Sequence, residues 1–223
     1  MMIFFNTFAQ LNTLKMRKLY SITTIVALSL VIMSFSLVNM IDPELTIGSK
    51  LPKADKNMQD VSGKEISLGS AKTDKGVLVI FTCNTCPYVK LSESRIKEYT
   101  DLAAKNGIGA VLVNSNESQR ADGDDDSFAA MKEYYTKQDL KCFYTLDAKS
   151  EVADAFGATR TPQCFLFNKD GLLVYKGAID DNVKDPKAVK NAYLKDALNA
   201  LAKGDKIGTA ESKSIGCTIK RVE

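Results

Sequence analysis

Five consecutive apolar residues at positions 77–81 are followed almost at once by two cysteines, Cys83 and Cys86, with Pro87 behind them. An uninterrupted apolar run of this length is typical of a strand that is buried on both faces, so layers of structure must cover it on each side. Proline is favoured in the first turn of a helix, which predicts a strand-to-helix junction at the cysteines. Two thiols at this spacing can form and open a disulfide, so the junction also indicates redox chemistry.

Strand and helix signals alternate along the rest of the chain. Residues 61–68 alternate around a Gly-Lys turn and predict a short hairpin, and residues 88–107 predict one helix behind the cysteines. Residues 108–113 predict a second buried strand, and residues 163–176 predict two strands joined by a Lys-Asp-Gly turn. Together these signals predict an α/β fold with a central mixed sheet flanked by helices and an N-terminal hairpin extension.

Charge and composition exclude several classes of function. Three of the 30 basic residues lie before position 42, where there is no acidic residue, so residues 42–223 carry 27 basic and 27 acidic groups. A domain without net charge and without a long basic stretch has no electrostatic basis for binding nucleic acid. The chain contains no histidine, which excludes Ser-His-Asp and Cys-His catalysis.

The N-terminal segment has the pattern of an export signal. Lys15, Arg17 and Lys18 precede the uncharged residues 19–41, and a basic region followed by an apolar one is the secretory pattern. The uncharged stretch is also long enough to cross a bilayer. Residues 1–41 are therefore predicted to be either a signal peptide or a membrane anchor that attaches the protein through residues 19–41. Both place the globular part outside the cytoplasm, in the periplasm.

The remaining boundaries follow from composition. Residues 42–56 contain two prolines and no sustained period, and they are predicted to be a linker. Residues 57–205 form the predicted domain, and residues 206–223 form a C-terminal tail.

The chemistry of the cysteine pair depends on the thiolate, because a thiol reacts in that form. A helix N-terminus stabilises the anion, so we expect Cys83 to be the exposed nucleophile and Cys86 the resolving thiol. Half of a zinc site is an alternative, but no second Cys-x-x-Cys and no histidine complete four ligands, and no metal site is predicted. A purely structural disulfide, which an oxidising compartment permits, stays open.

A second signal lies far along the chain, where Thr161 and Pro162 precede the strand predicted at 163–168. Proline suits the start of a strand, where the preceding bond is either cis or an ordinary trans turn. The order strand, Cys-x-x-Cys, helix, Thr-Pro, strand, Asp-Gly, strand resembles the thioredoxin-like superfamily. The segments at 81–90, 157–162, 175–181 and 214–220 are most similar to bacterial peroxiredoxin-like proteins of the thioredoxin family.

This resemblance implies a thioredoxin-like fold over residues 45–223, with Cys83 as nucleophile and Cys86 as resolver. It implies that Pro162 is a cis-proline and that the backbone beside it, at Thr161, pairs with a bound substrate chain. The implied function is a thiol-disulfide oxidoreductase without a cofactor, whose partners are protein thiols or disulfides and a redox partner that recycles it. The alternatives are a thiol peroxidase and a redox-silent binding module that uses the Pro162 groove.

The sequence departs from better-known relatives at the site. Thioredoxins carry a Trp before the first cysteine and a buried acid further upstream, whereas this chain has Thr82 and Val77 there. Proton transfer to or from Cys86 must then use water or a carboxylate from elsewhere. Peroxiredoxins carry a Thr three positions before the peroxidatic cysteine; Ile80 occupies that place relative to Cys83, which argues against peroxidase activity.

Three further thiols and one acidic run complete the candidates. Cys142 and Cys164 lie in apolar strand contexts and are predicted to be buried and inert. Cys217, beside Gly216 in the polar tail, is either a third redox thiol that exchanges with the pair or a tail cysteine packed on the domain. The acidic run at 122–126 is predicted to be a solvated loop, because it lacks the distal glutamate of a calcium site.

Overall fold

The computed structural model describes residues 43–222, and the predicted signal peptide or anchor at 1–41 lies outside them. The strands in chain order are β1 Met58–Asp60, β2 Glu65–Ile66, β3 Val77–Thr82, β4 Gly109–Asn114, β5 Phe143–Leu146, β6 Arg160–Thr161, β7 Gln163–Phe167, β8 Leu173–Gly177 and β9 Cys217–Thr218. The α-helices are α1 Leu68–Ala71, α2 Pro87–Lys90, α3 Glu93–Lys105, α4 Phe128–Lys137, α5 Glu151–Phe156 and α6 Tyr193–Lys203. Among residues 43–222, no helix has the length and apolar character needed to cross a bilayer.

Seven strands form one mixed sheet in the order β2-β1-β5-β4-β3-β7-β8. β3 lies inside it, parallel to β4 and antiparallel to β7. Every residue of β3 is buried. Its side chains alternate between two hydrophobic clusters, so both faces of the strand must be apolar.

The two clusters lie on opposite faces of the sheet. Leu78 and Ile80 pack with residues of α3, α4 and α6. Val77, Val79 and Phe81 pack with residues of α1 and α5. The predicted α/β class, with helices on both faces of a mixed sheet, is confirmed.

The N-terminal hairpin is present as β1 and β2, which pair antiparallel around a turn with Gly63 at φ 85°. β1 also pairs antiparallel with β5, so the hairpin extends the main sheet. Its strands are shifted from the predicted alternation, because Val61 lies in the turn rather than in a strand.

The linker prediction for residues 42–56 is wrong for the part that the structure describes. The backbone N–H of Leu45 donates to the carbonyl of Phe156 at 3.2 Å, and that of Leu51 donates to the carbonyl of Gly171 at 2.8 Å. Both leucine side chains pack against the α5 face of the core. Prolines broke the period in the sequence, but this segment is held by backbone pairing and by its two leucines.

The single helix predicted behind the cysteines is two helices, α2 and α3, separated at Leu91 and Ser92. The guanidinium of Arg95 donates to the carbonyl of Leu91 at 2.8 Å, which satisfies an acceptor at the break. The helical spacing of apolar residues continues across the break, so the sequence pattern gave no sign of it.

The C-terminal tail is docked along the domain. The backbone N–H of Lys176 in β8 donates to Ala210, and the N–H of Ser212 donates back to Lys176, both at 3.0 Å. Further on, β9 pairs with β6 in a separate two-stranded sheet. The tail therefore contacts first the outer edge of β8 and then the short strand before Pro162.

Candidate active site

The two cysteines of the motif lie in the loop between β3 and α2. β3 ends at Thr82, and α2 begins at Pro87 with Cys86 as its N-cap residue. Proline at the first helical position costs no helical hydrogen bond, because the N–H it lacks would have no partner within the helix. The helix N-terminus therefore adjoins Cys86 and not Cys83, which is the register that Pro87 favours.

The Thr-Pro signal lies directly against this loop. The Thr161–Pro162 peptide bond is cis, as the resemblance implies. In the register of β3 and β7, Phe81 pairs with Gln163. The residues just before Gln163 therefore lie beside the residues just after Phe81.

Both sulfurs contact Thr161. In its protonated form the Cys86 thiol donates to the Thr161 carbonyl oxygen at 3.0 Å, and the Cys83 sulfur lies 3.6 Å from the Thr161 hydroxyl. Cys83, Cys86, Thr161 and Pro162, which the sequence indicated in two distant segments, thus meet in one place.

Both sulfurs are covered in this structure. Cys83 is 1% exposed and Cys86 is 2% exposed. The expectation of an exposed Cys83 is therefore wrong for this conformation. Thr161, between them, is also 1% exposed, so a macromolecule cannot reach the pair without a rearrangement.

The two thiols titrate as a coupled pair. The pKa of Cys86 is lowered, first by the hydrogen bond from the Cys83 thiol and further by the thiol and backbone N–H of Cys217 and the Thr161 hydroxyl. The pKa of Cys83 is raised, first by its neighbour Cys86, then by burial and by the charge of Asp126. The pKa of Cys86 therefore lies below that of Cys83.

A buried carboxylate, Asp126, anchors the loop between the cysteines. One of its oxygens accepts from the backbone N–H of Asn84 at 2.7 Å and from the side-chain amide of Asn114 at 3.0 Å. The other accepts from the Thr85 hydroxyl at 2.9 Å and from the Asn116 amide at 3.1 Å. Four donors surround a side chain with no solvent exposure, which is how a buried charge is made tolerable.

The Asn84 side chain is fixed as well. Its oxygen accepts from the Tyr144 hydroxyl, and its amide donates to the Asp125 carbonyl, both at 2.8 Å. Burial raises the pKa of Tyr144, so the phenol keeps the proton that it donates. Both residues between the cysteines are thus held by groups inside the protein.

Sequence reasoning missed Asp126. The run at 122–126 was expected to be solvated, and Asp122 is indeed exposed, but Asp126 turns inward just before the N-cap residue of α4, Ser127. A usable signal existed in the asparagines that follow two buried parallel strands, Asn84 after β3 and Asn116 after β4. The carboxyl ends of neighbouring parallel strands lie at the same edge of a sheet. Two asparagine side chains at that edge can therefore donate hydrogen bonds to one buried carboxylate.

The other three thiols differ in position. Cys164 is fully buried in β7, and burial raises its pKa. Cys142 is partly buried, and burial raises its pKa to about 12. Cys217 packs against the cluster that contains Cys83 and Cys86. All five cysteines are free thiols in this structure, and within residues 43–222 no His, Cys, Asp or Glu side chains converge as a metal-ligand set.

Asp126→Asn should destabilise the protein by about 2–4 kcal/mol, because an amide nitrogen would face donors that now bond to a carboxylate oxygen. Equilibrium unfolding in urea measures this change. Asp122→Asn, which alters an exposed residue of the same loop, should change the unfolding free energy by less than about 0.5 kcal/mol. Equal effects of the two substitutions would contradict the anchoring role.

Ultraviolet thiolate absorbance of the reduced protein should show one thiolate that persists well below the ordinary thiol pKa of about 8.5. Cys86→Ser should remove this signal, and Cys164→Ala should leave it. Because the folded-state pKa of Cys86 is depressed, its stabilising contribution is present above the thiol pKa of the unfolded chain and is lost as the pH falls through the folded value. The unfolding free energy of the reduced protein should decline over that interval, and a flat profile there would count against the assignment.

Comparison with known proteins places this geometry in a family. The model of the Redoxin family matches residues 46–193, which is more than half of the chain. A comparison with curated proteins finds no match.

Solved structures share the architecture. A hypothetical protein from Sinorhizobium meliloti is 30% identical, with 80% of this chain and 96% of that chain covered and a TM-score of 0.72. An uncharacterized conserved protein from Geobacillus kaustophilus is 28% identical, with coverage of 82% and 94% and a TM-score of 0.73. A secreted disulfide oxidoreductase from Mycobacterium tuberculosis, homologous to E. coli DsbE, is 16% identical, with coverage of 66% and 97% and a TM-score of 0.50, and shares the fold alone. On the evidence of its motifs, its sheet order and the family match, the chain belongs to the Redoxin family, within the thioredoxin-like superfamily.

Proposed function

We propose that the protein is a thiol-disulfide oxidoreductase that exchanges disulfides with protein substrates through Cys83 and Cys86. The observation that carries this proposal is the convergence of both sulfurs on Thr161 beside the cis Pro162, with the Cys86 sulfur 3.0 Å from the Thr161 carbonyl oxygen. A structural disulfide would not need a depressed thiol pKa, whereas exchange proceeds through a thiolate.

The exchange follows in two steps. The Cys83 thiolate attacks one sulfur of a substrate disulfide, forms a mixed disulfide and expels the first substrate thiolate. The Cys86 thiolate then attacks the Cys83 sulfur, and the second substrate thiolate leaves and takes up a proton. The substrate gains two electrons, and the protein gains the Cys83–Cys86 disulfide.

Before the first step, Cys83 must lose its proton, and the base that accepts it is the other cysteine of the pair, Cys86. In this scheme Cys83 holds the proton at rest, because its pKa is raised and that of Cys86 is lowered, and both sulfurs lie against Thr161. Transfer of that proton to Cys86 makes Cys83 the thiolate, and the Cys86 thiol then donates a hydrogen bond to the Thr161 carbonyl oxygen. The first substrate thiolate takes up the Cys86 proton as it leaves, which restores the Cys86 thiolate for the second step. The carboxylate that Val77 replaces is therefore not needed for this step. Asp126, whose oxygens are all engaged by donors, acts as an anchor for the loop.

The proposed place of action is outside the cytoplasm, in the periplasm. Its support is the basic residues 15–18 followed by the uncharged residues 19–41. Fractionation of cells that express the full chain, with the protein recovered only from the cytoplasm, would overturn this part of the proposal.

Wild-type protein should catalyse the reduction of insulin disulfides by dithiothreitol, and Cys83→Ser should reduce the rate to that of the uncatalysed reaction. Cys86→Ser should instead accumulate a mixed disulfide between Cys83 and the substrate, because the resolving thiol is missing. Cys142→Ser, a cysteine outside the site, is the matched control and should keep the wild-type rate.

Other outcomes of this assay identify the alternatives. An undiminished rate in Cys83→Ser would rule out the proposed mechanism. Rapid, stoichiometric loss of thiols with hydrogen peroxide and no insulin reduction would favour a thiol peroxidase. The absence of both reactions would favour a redox-silent binding module.

A further inference from the structure

The C-terminal tail occupies the edge of the active site with a strand of its own. In the pairing of β6 with β9, Thr161 is opposite Cys217 and Arg160 is opposite Thr218. The N–H of Ile219 continues the pairing by donating to the carbonyl of Thr159 at 3.1 Å. A cysteine-containing extended segment thus lies antiparallel to the two residues that precede the cis Pro162.

Contacts on both sides of Cys217 hold this strand in register. On one side, the Gly216 backbone is so close to Thr161 that an added Cβ would lie 2.1 Å from the Thr161 carbonyl oxygen. On the other side, Ile219 is 3% exposed in the core, and the N–H of Lys220 donates to the Asn116 side chain at 3.0 Å. The same Asn116 donates to Asp126, so one network supports both the tail and the loop between the cysteines.

The docked strand brings Cys217 close to the cysteine pair. Thr161 is opposite Cys217 in the strand pairing and lies 3.0 Å from the Cys86 sulfur through its carbonyl oxygen. Cys217 also packs against the cluster that contains Cys83 and Cys86, and its thiol and backbone N–H help to lower the pKa of Cys86. Cys217 remains partly accessible to solvent, whereas the other two are buried.

We propose that Cys217 is a third catalytic thiol, which exchanges with Cys86 to form a Cys86–Cys217 disulfide. The source of the oxidising equivalents is the substrate disulfide of the proposed function, on which this inference rests. In the exchange, the Cys217 thiolate attacks the Cys86 sulfur of the Cys83–Cys86 disulfide. The Cys86–Cys217 bond forms, the Cys83–Cys86 bond breaks, and Cys83 leaves as a thiolate that takes up the proton released by Cys217.

Cys83 is an adequate leaving group in this step. Its high pKa in the reduced protein comes first from the neighbouring reduced Cys86, and that cause is absent while Cys86 belongs to a disulfide. In the next step a dithiol protein attacks the accessible Cys217 sulfur and expels Cys86, whose low thiol pKa makes it a good leaving group. The exchange moves the disulfide from a buried pair to a position that a recycling partner can reach.

The tail strand β9 and a substrate strand would pair with the same edge of β6, so only one of them can bind there at a time. The backbone groups of β6 that would pair with an extended substrate are already paired with β9. A substrate strand can bind only after β9 leaves, and β9 can return only after the substrate leaves. Binding of substrate and reaction of Cys217 are therefore successive events in one cycle.

Disulfide mapping by mass spectrometry tests the exchange. Cys83→Ser protein is reduced, freed of reductant and oxidised with diamide at low protein concentration. We expect an intramolecular Cys86–Cys217 disulfide in the monomer, which is absent from the Cys83→Ser/Cys217→Ser double variant. Absence of that linkage in Cys83→Ser, or linkage of Cys86 to other thiols instead, would overturn the proposal.

A second pair of variants tests the docking without removing a thiol. In the Cys83→Ser background, Gly216→Val should clash with the Thr161 carbonyl and slow formation of the linkage by about tenfold or more, because docking sets the effective concentration of Cys217 at Cys86. Gly208→Val, in the same tail but with open space around the added Cβ, should leave the rate unchanged. Equal rates in the two variants would show that β9 does not deliver the thiol.

The insulin assay on wild-type protein keeps the two proposals apart. Insulin reduction without a Cys86–Cys217 linkage would overturn the third thiol and leave the oxidoreductase. The linkage without insulin reduction would overturn the oxidoreductase and leave the exchange.

Discussion

The site depends on the hydrogen bonds that the buried carboxylate of Asp126 accepts. Removing such a charge from water costs several kcal/mol, and the cost is offset by four hydrogen bonds. Those donors come from the loop between the cysteines, from the end of β4 and from Asn116 just beyond it. The Asn116 side chain also accepts from the tail at Lys220, so a single buried group fixes the positions of three segments that are distant in sequence.

Much of the fold could be predicted because its causes are local. The apolar run of β3 needed cover on both faces, and the structure supplies two hydrophobic clusters. The Lys-Asp-Gly turn between β7 and β8 and the Gly63 turn of the hairpin are short-range signals with few alternatives. The pairing of Pro162 with the cysteine loop was available only through the resemblance, because residue spacing alone did not decide between a cis bond and an ordinary turn.

The features that escaped prediction are those set by long-range contacts. The exposure of Cys83 depends on the residues that cover it. The sequence around Cys83 does not indicate that Thr161, far along the chain, lies against its sulfur. Asp126 was one of several aspartates in a polar run, and only the folded chain distinguishes it from Asp122. Cys217 was predicted to be either a third redox thiol or a packed tail cysteine, but its pairing partner, Thr161, lies 56 residues upstream in sequence, and no periodicity connects the two.

The tail also has a consequence for the sheet as a whole. β8 is the last strand of the seven, and an unpaired edge strand is a template for association with other chains. The backbone of Ala210 and Ser212 hydrogen-bonds to Lys176 on that edge, and an added Cβ at Gly177 would lie 2.3 Å from the Ser212 carbonyl oxygen. The segment that brings a thiol to the active site therefore also blocks edge-to-edge aggregation, and the two roles constrain the length of the chain between Ser212 and Cys217.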